Sequence, residues 1–166
     1  MTIAPLFAFP TPTASPTRDP RSGRPPRFGH HDHTAIDAEL HIGDTATTGA
    51  FAVTAHAFED PVIEPDDLLD TVAGHRLVTV ETTVTNTSSR RQSFSTMLLV
   101  ELVDSLERTW PASVFGVSDR PGLDASVAPG ASRRGWVGFE VPTDTTGFRF
   151  RVKGDLAAEV TTFALP

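Results

Sequence analysis

The sequence predicts an all-β fold, an antiparallel sandwich behind an extended N-terminal segment. Three observations predict it. In "HRLVTVETTVTNTSS", Val78, Val80, Thr82 and Val84 fall on one side of a pleated chain and Thr79, Glu81, Thr83 and Thr85 on the other. Strict alternation in β-branched residues is the pattern of a half-buried strand. The same grammar returns in "RRGWVGFEVP", with Val137, Phe139 and Val141 on one face. It returns again in "FRFRVK", where Phe148, Phe150 and Val152 point in and Arg149, Arg151 and Lys153 point out. Finally, no segment sustains the 3.6-residue apolar period of an amphipathic helix.

Taken in order, Thr11–Arg27 is rich in Pro, Thr, Ser and Arg. It cannot bury enough apolar surface to offset its ordering entropy, so it reads as a disordered or extended Pro/Thr-rich linker or arm. We divide the chain into that arm, residues 1–35, and a sandwich, residues 36–166. "AELHI" and "GAFAVTAHAF" are short β-rich runs bounded by "GDTATTG". "EDPVIEPDDLLDTVAG" is a long acidic loop with one helical turn expected at Asp66–Asp70. "NTSSRR" supplies turn residues, "QSFSTMLLVELVD" reads as one strand, and "DSLER" as a tight connection. "VAPGAS" is a turn built on Pro129 and Gly130, and Pro142 stops the strand that follows. "AEVTTFAL" closes the chain. Seven to nine antiparallel strands in two packed sheets are expected between Ile36 and Leu165, with Val80, Val84, Leu99, Val137, Phe139, Phe148 and Phe150 in the core.

At 166 residues, such a domain buries enough surface to need no disulfide or metal staple. Cysteine is absent, which removes thiol catalysis, zinc–thiolate sites and lipidation through cysteine. The net charge of −7 makes the chain a poor ligand for nucleic acid or anionic lipid. No apolar run approaches the roughly 20 residues of a membrane span. "MTIAPLFAFP" has no basic start and is broken by Pro5 and Pro10, so it reads as a poor secretory signal.

The order of motifs resembles a known family. "IGDTATTGAFAVTAHAF", an acidic insert, "GHRLVTVETTVTNTS", "LVELVDSLERTWPA" and "LDASVAPGASRRGWVGFEVP" together are similar to the bacterial telokin-like, immunoglobulin-like domain of unknown function. Its fold is like that of the mycobacterial immunoprotective extracellular antigen. The resemblance covers about Ile36 to Leu165. Its most specific stretches, Gly74–Thr87 and Pro129–Pro142, are framework and not catalytic. It implies an immunoglobulin-like sandwich in an extracellular or cell-envelope protein. Two departures stand out. Members usually begin with a signal peptide or a lipobox cysteine, and this chain shows no export signal. The turn after the central hairpin often reads Asp–x–x–Gly, whereas here it reads Asp104–Ser105–Leu106–Glu107.

"FGHHDHTAID" gathers the residues best suited to a metal: His30, His31, Asp32 and His33. Adjacent His30 and His31 diverge on an extended chain, although His31 and His33 share a side. Any further ligand would come from His41, His56, His75 or an acid, and no H-E-x-x-H spacing fixes it. We therefore expect no metal site. Glu59, Asp60, Glu64, Asp66, Asp67 and Asp70 crowd one loop without calcium-loop spacing, and read as a solvated acidic loop. That long Glu59–Gly74 insertion is the expected partner-facing surface, with Val62, Ile63, Leu68 and Leu69 as apolar anchors. Arg133, Arg134, Arg149, Arg151 and Lys153 form a basic stripe if the last strands are neighbours; the plainer alternatives are a solvated outer face, or one paired across strands with Glu140 and Glu159. Trp110 and Trp136 read as packing residues. Asn86–Thr87–Ser88 matches a glycosylation sequon but also ends a strand.

No nucleophile motif, phosphate loop or carboxylate pair in a cleft is legible. The expectation is no enzyme, no catalytic residues and no cofactor. The function read is a non-enzymatic binding or display module of a bacterial envelope or secreted protein, with a protein or envelope partner and no nucleic acid. The alternative is a structural subunit of an ordered assembly (filament, capsid or sheath) that contacts neighbours through the N-terminal arm.

Overall fold

The structure, a computed structural model, describes residues 39–62, 71–114, 117 and 120–166. Long alternating runs give the long strands. β1 is Thr45–Thr48, β2 Phe51–Glu59 and β3 His75–Asn86. A short piece, β4 (Gln92–Phe94), leads through a helical turn, α1 (Thr96–Leu99), into β5 (Val100–Val103). Then come β6 (Thr109–Pro111), β7 (Ala125–Val127), β8 (Ser132–Pro142), β9 (Arg149–Val152) and β10 (Thr161–Ala164).

The strands form an antiparallel sheet in the order β1-β2-β3-β8, a second in the order β10-β9-β5-β6, and a small pair, β4-β7. The inward residues of the two large sheets make the core. Leu102, Phe150 and Phe163 form one rung of the second sheet and are wholly buried. Phe139 of the first sheet meets Phe150 edge-on at 6.2 Å between centroids. Phe51 packs its edge on Phe94 at 5.3 Å, which fastens the small pair to the first sheet. Fully burying each such side chain contributes about 1.5–3 kcal/mol. All seven expected core residues are buried.

In β2 the register slips between Ala55 and Ala57. The extra residue of this bulge lets Ala55 pair with Thr82 and Phe58 with Val80, so the strand keeps an inward face on both sides of it. His56, at the bulge, bonds Thr83 Oγ1 through Nε2 at 2.8 Å.

The structure differs from the expected elements in three places. "QSFSTMLLVELVD" is not one strand. Asp124 accepts hydrogen bonds from the Thr96 amide (3.0 Å) and hydroxyl (2.6 Å), and Leu98 and Leu99 donate their amides to Ser95 O. These bonds curl the chain into α1 as it passes from the small pair to the second sheet. The ten strands among the described residues exceed the expected seven to nine, because β4 and β7 are three-residue pieces too short to show a period. The described part of "AELHI", from Glu39, yields only a bridge, Leu40 to Phe163, and it runs parallel. The helical turn expected at Asp66–Asp70 lies outside the described residues.

Candidate binding surface

His30, His31, Asp32 and His33 lie outside the described residues. Among the described residues, no group of three or more histidine or carboxylate side chains is placed to hold a metal ion.

The tip of the Glu59–Gly74 loop, residues 63–70, is also outside the description, but both roots are pinned. Asp60 takes a bidentate pair from Arg76 at 2.5 and 2.8 Å. The same guanidinium donates to Pro142 O (2.8 Å) and Thr145 O (2.7 Å), and the Asp60 bond raises its pKa. Val62 N donates to Leu77 O at 2.9 Å, Val72 N to the Glu140 carboxylate, and Thr143 N to Gly74 O at 3.0 Å. The loop therefore leaves the sandwich from a fixed base.

The five basic residues do not make one stripe. Arg133 and Arg134 stand on β8 in the first sheet, and Arg149 and Arg151 on β9 in the second. Consecutive strands here belong to different sheets, so the sequence neighbours part. Among the described residues, the alternative partners Glu140 and Glu159 pair with none of the five. Arg134 forks onto Glu81 at 2.8 and 2.9 Å, and this hydrogen bond is the main cause that lowers the Glu81 pKa. Arg133 donates to Gly122 O, Arg149 pairs with Glu107, and Arg151 with Glu101 at 2.9 Å. Among the described residues Lys153 has no carboxylate partner.

Both tryptophans pack against protein groups. Trp110 donates its indole N–H to Asp104 at 3.2 Å and lies under the Arg108 guanidinium. Arg120 stacks on Trp136 at 4.2 Å and reaches Glu59 at 2.8 Å. Asn86 is wholly buried, with Nδ2 donating to Arg90 O (2.7 Å) and Val127 O (2.9 Å). In this fold its amide is spoken for, and the sequon is closed to a glycan.

A surface the sequence reading missed lies at α1. Met97 and Leu98 are 57% and 63% exposed, and Val114 nearby is 73% exposed. A cavity of about 190 Å³ opens beside them, lined by Thr96, Met97, Ser113, Val114, Asp124 and Trp136 among others. A smaller one of about 70 Å³ lies on the Leu98 side, with Glu101, Arg151, Lys153 and Val160 in its wall. α1 is thus an apolar ridge between two hollows, one carrying the Asp124 carboxylate and the other Lys153 and the Glu101–Arg151 pair. The available signal was the run Met97–Val100, four apolar residues in a row, where period two breaks down after Ser95 and Thr96.

Residues 40–161 match a family described as a domain of unknown function (DUF4352). The chain belongs to this family. No curated protein matches the chain. Among solved structures, the yjhA protein of Bacillus subtilis is similar with a TM-score of 0.57 at 12% identity, over 76% of this chain and 99% of that one. The secreted protein MPT63 of Mycobacterium tuberculosis is similar with a TM-score of 0.56 at 10% identity, over 75% of this chain and 94% of its own. A putative lipoprotein (ycdA) of Bacillus subtilis gives 0.57 at 14% identity, over 75% of this chain and 38% of the lipoprotein. At such identities the likeness shows the fold alone, a β-sandwich shared with the mycobacterial antigen, as the motif order implied.

Proposed function

We propose that this domain is a non-enzymatic binding module of a bacterial envelope or secreted protein, presented on the Pro/Thr-rich segment of residues 1–35. The observation that carries the reading is the α1 ridge. A soluble sandwich gains nothing by leaving two adjacent large apolar side chains more than half exposed between hollows, and apolar patches with polar surroundings mark interaction sites. The secreted and lipoprotein neighbours support the compartment. The pinned Glu59–Gly74 loop remains a second contact consistent with this reading.

Benzoylphenylalanine placed at Leu98 in the native organism tests it. Expected is a photo-crosslink to an envelope or extracellular protein, absent when the same group replaces Thr83 on the outer face of the first sheet. Crosslinks only between copies of the chain would transfer support to the ordered-assembly reading. No crosslink at Leu98 would remove the ridge as a binding surface.

A further inference from the structure

We propose that the larger hollow beside α1 receives a basic side chain, arginine or lysine, from the protein partner. The inference rests on the binding reading above and names the chemistry of its central contact.

Asp124 lies in the wall of the hollow, and its two carboxylate oxygens each accept one bond from Thr96. Those two bonds fix the side chain. A carboxylate offers about four lone-pair positions, so two remain for a visitor. Among the described residues no arginine or lysine forms an ion pair with Asp124. The two arginines bound to residues of the same wall are engaged: Arg133 with Gly122 O, and Arg120 with the Trp136 ring and Glu59.

The remaining walls suit the stem of a long basic side chain. Met97, Val114 and Trp136 offer apolar surface along the hollow, while Ser95 and Ser113 add hydroxyls. Lysine and arginine bury their methylenes on such surface while the charged head finds a partner. A volume of about 190 Å³ suits one side chain and falls short of the roughly 300 Å³ at which small-molecule pockets begin. The alternatives are disfavoured for stated reasons. An acidic side chain would meet Asp124 as a like charge. A leucine or phenylalanine would strip water from that carboxylate and leave its two remaining lone-pair positions unfilled. The net charge of −7 also draws a cationic segment toward the chain.

Three capped tripeptides, acetyl-Gly-Arg-Gly-amide and its Glu and Leu counterparts, test this by amide and indole NMR on the full chain. The arginine peptide should shift the Thr96 amide and the Trp136 indole, saturating near a Kd of about 1 mM, as expected for a contact of some ten heavy atoms. Asp124→Asn, which keeps an acceptor for Thr96, should weaken binding about tenfold. Should Asp124→Asn unfold, raising salt on the wild-type protein replaces it and should weaken the arginine peptide alone. Equal response to the leucine or glutamate peptide, or full affinity in Asp124→Asn, overturns the proposal. So does the absence of any shift, even if Leu98 still crosslinks to an envelope protein; in that case the binding reading survives and this contact does not.

Discussion

Asp104 has no exposed surface, yet it is the most strongly charged-stabilised acid described in the chain. Burial pushes its carboxyl pKa up. Four donors more than reverse this: the Leu106 amide at 2.8 Å, the Arg108 amide at 3.0 Å, the Arg108 Nε at 2.7 Å and the Trp110 indole at 3.2 Å. The result is a pKa lowered from 3.8 to about 2. The unfolded chain titrates this group near its ordinary value of about 3.9. A depressed folded pKa stabilises the fold fully above about pH 4, and that contribution disappears as pH falls through about 2. Asp104→Asn should therefore lower the melting temperature at neutral pH and flatten its fall between about pH 4 and pH 2. Thermal melts across that range check this. A mutant whose acid profile runs parallel to the wild type would exclude Asp104 as the source.

At the scale of elements, what sequence could and could not show follows from where the controlling contacts lie. β3 and β8 were legible because each carries its own period, and their pairing from His75↔Pro142 to Thr85↔Ser132 places Val80 opposite Val137. The β4–α1–β5 break was not legible. No Gly or Pro punctuates it, and the side-chain bonds that anchor its first residue come from Asp124, 28 residues further on. The exposed ridge at Met97 and Leu98 depends on that turn, so the candidate surface was hidden with it. The basic residues were misassigned for a like reason, since the chain changes sheets between Pro142 and Arg149. The β5–β6 turn shows the opposite case. Its fourth residue, glycine in many relatives by the motif resemblance, is Glu107 here, and Glu107 sits at φ 62°. That backbone region costs an ordinary residue about 1–2 kcal/mol and glycine little. Glu107→Ala and Glu107→Gly both lose the Arg149 pair, so comparing them isolates the backbone. Glu107→Gly should be the more stable by roughly 0.5–1 kcal/mol in denaturant melts, the reverse of the usual order. If Glu107→Ala is the more stable, the turn is not held in the left-handed region.

At the scale of the whole domain, the two large sheets must be held together where their edges meet as well as through the core. One such joint is made by Thr48 at the end of β1 and Gly154 after β9. The Thr48 hydroxyl donates to Glu159 O at 2.8 Å and accepts from Gly154 N at 3.1 Å. The backbones approach so closely that a Cβ at Gly154 would stand 1.7 Å from Thr48 O and 2.5 Å from its carbonyl carbon. Neither atom belongs to a flexible side chain, so relief requires one strand end to move away and the hydroxyl bridge to break. Gly154→Ala should cost at least the 1–3 kcal/mol typical of overpacking. For a domain of this size that is a fall of roughly 3–10 °C in melting temperature. Gly122→Ala provides the control, because its Cβ would meet nothing within 4 Å and its φ is not in the left-handed region. It should melt within about 0.5 kcal/mol of the wild type. A second arm, Thr48→Val, removes the hydroxyl while keeping the shape. It strands the Gly154 amide and the Glu159 carbonyl, and should cost about 1–3 kcal/mol. If the joint is one unit, the Gly154→Ala, Thr48→Val double mutant should lose less than the two single losses added together. Additive losses would mean that the close approach at Gly154 and the Thr48 hydroxyl bridge act independently and do not form one joint.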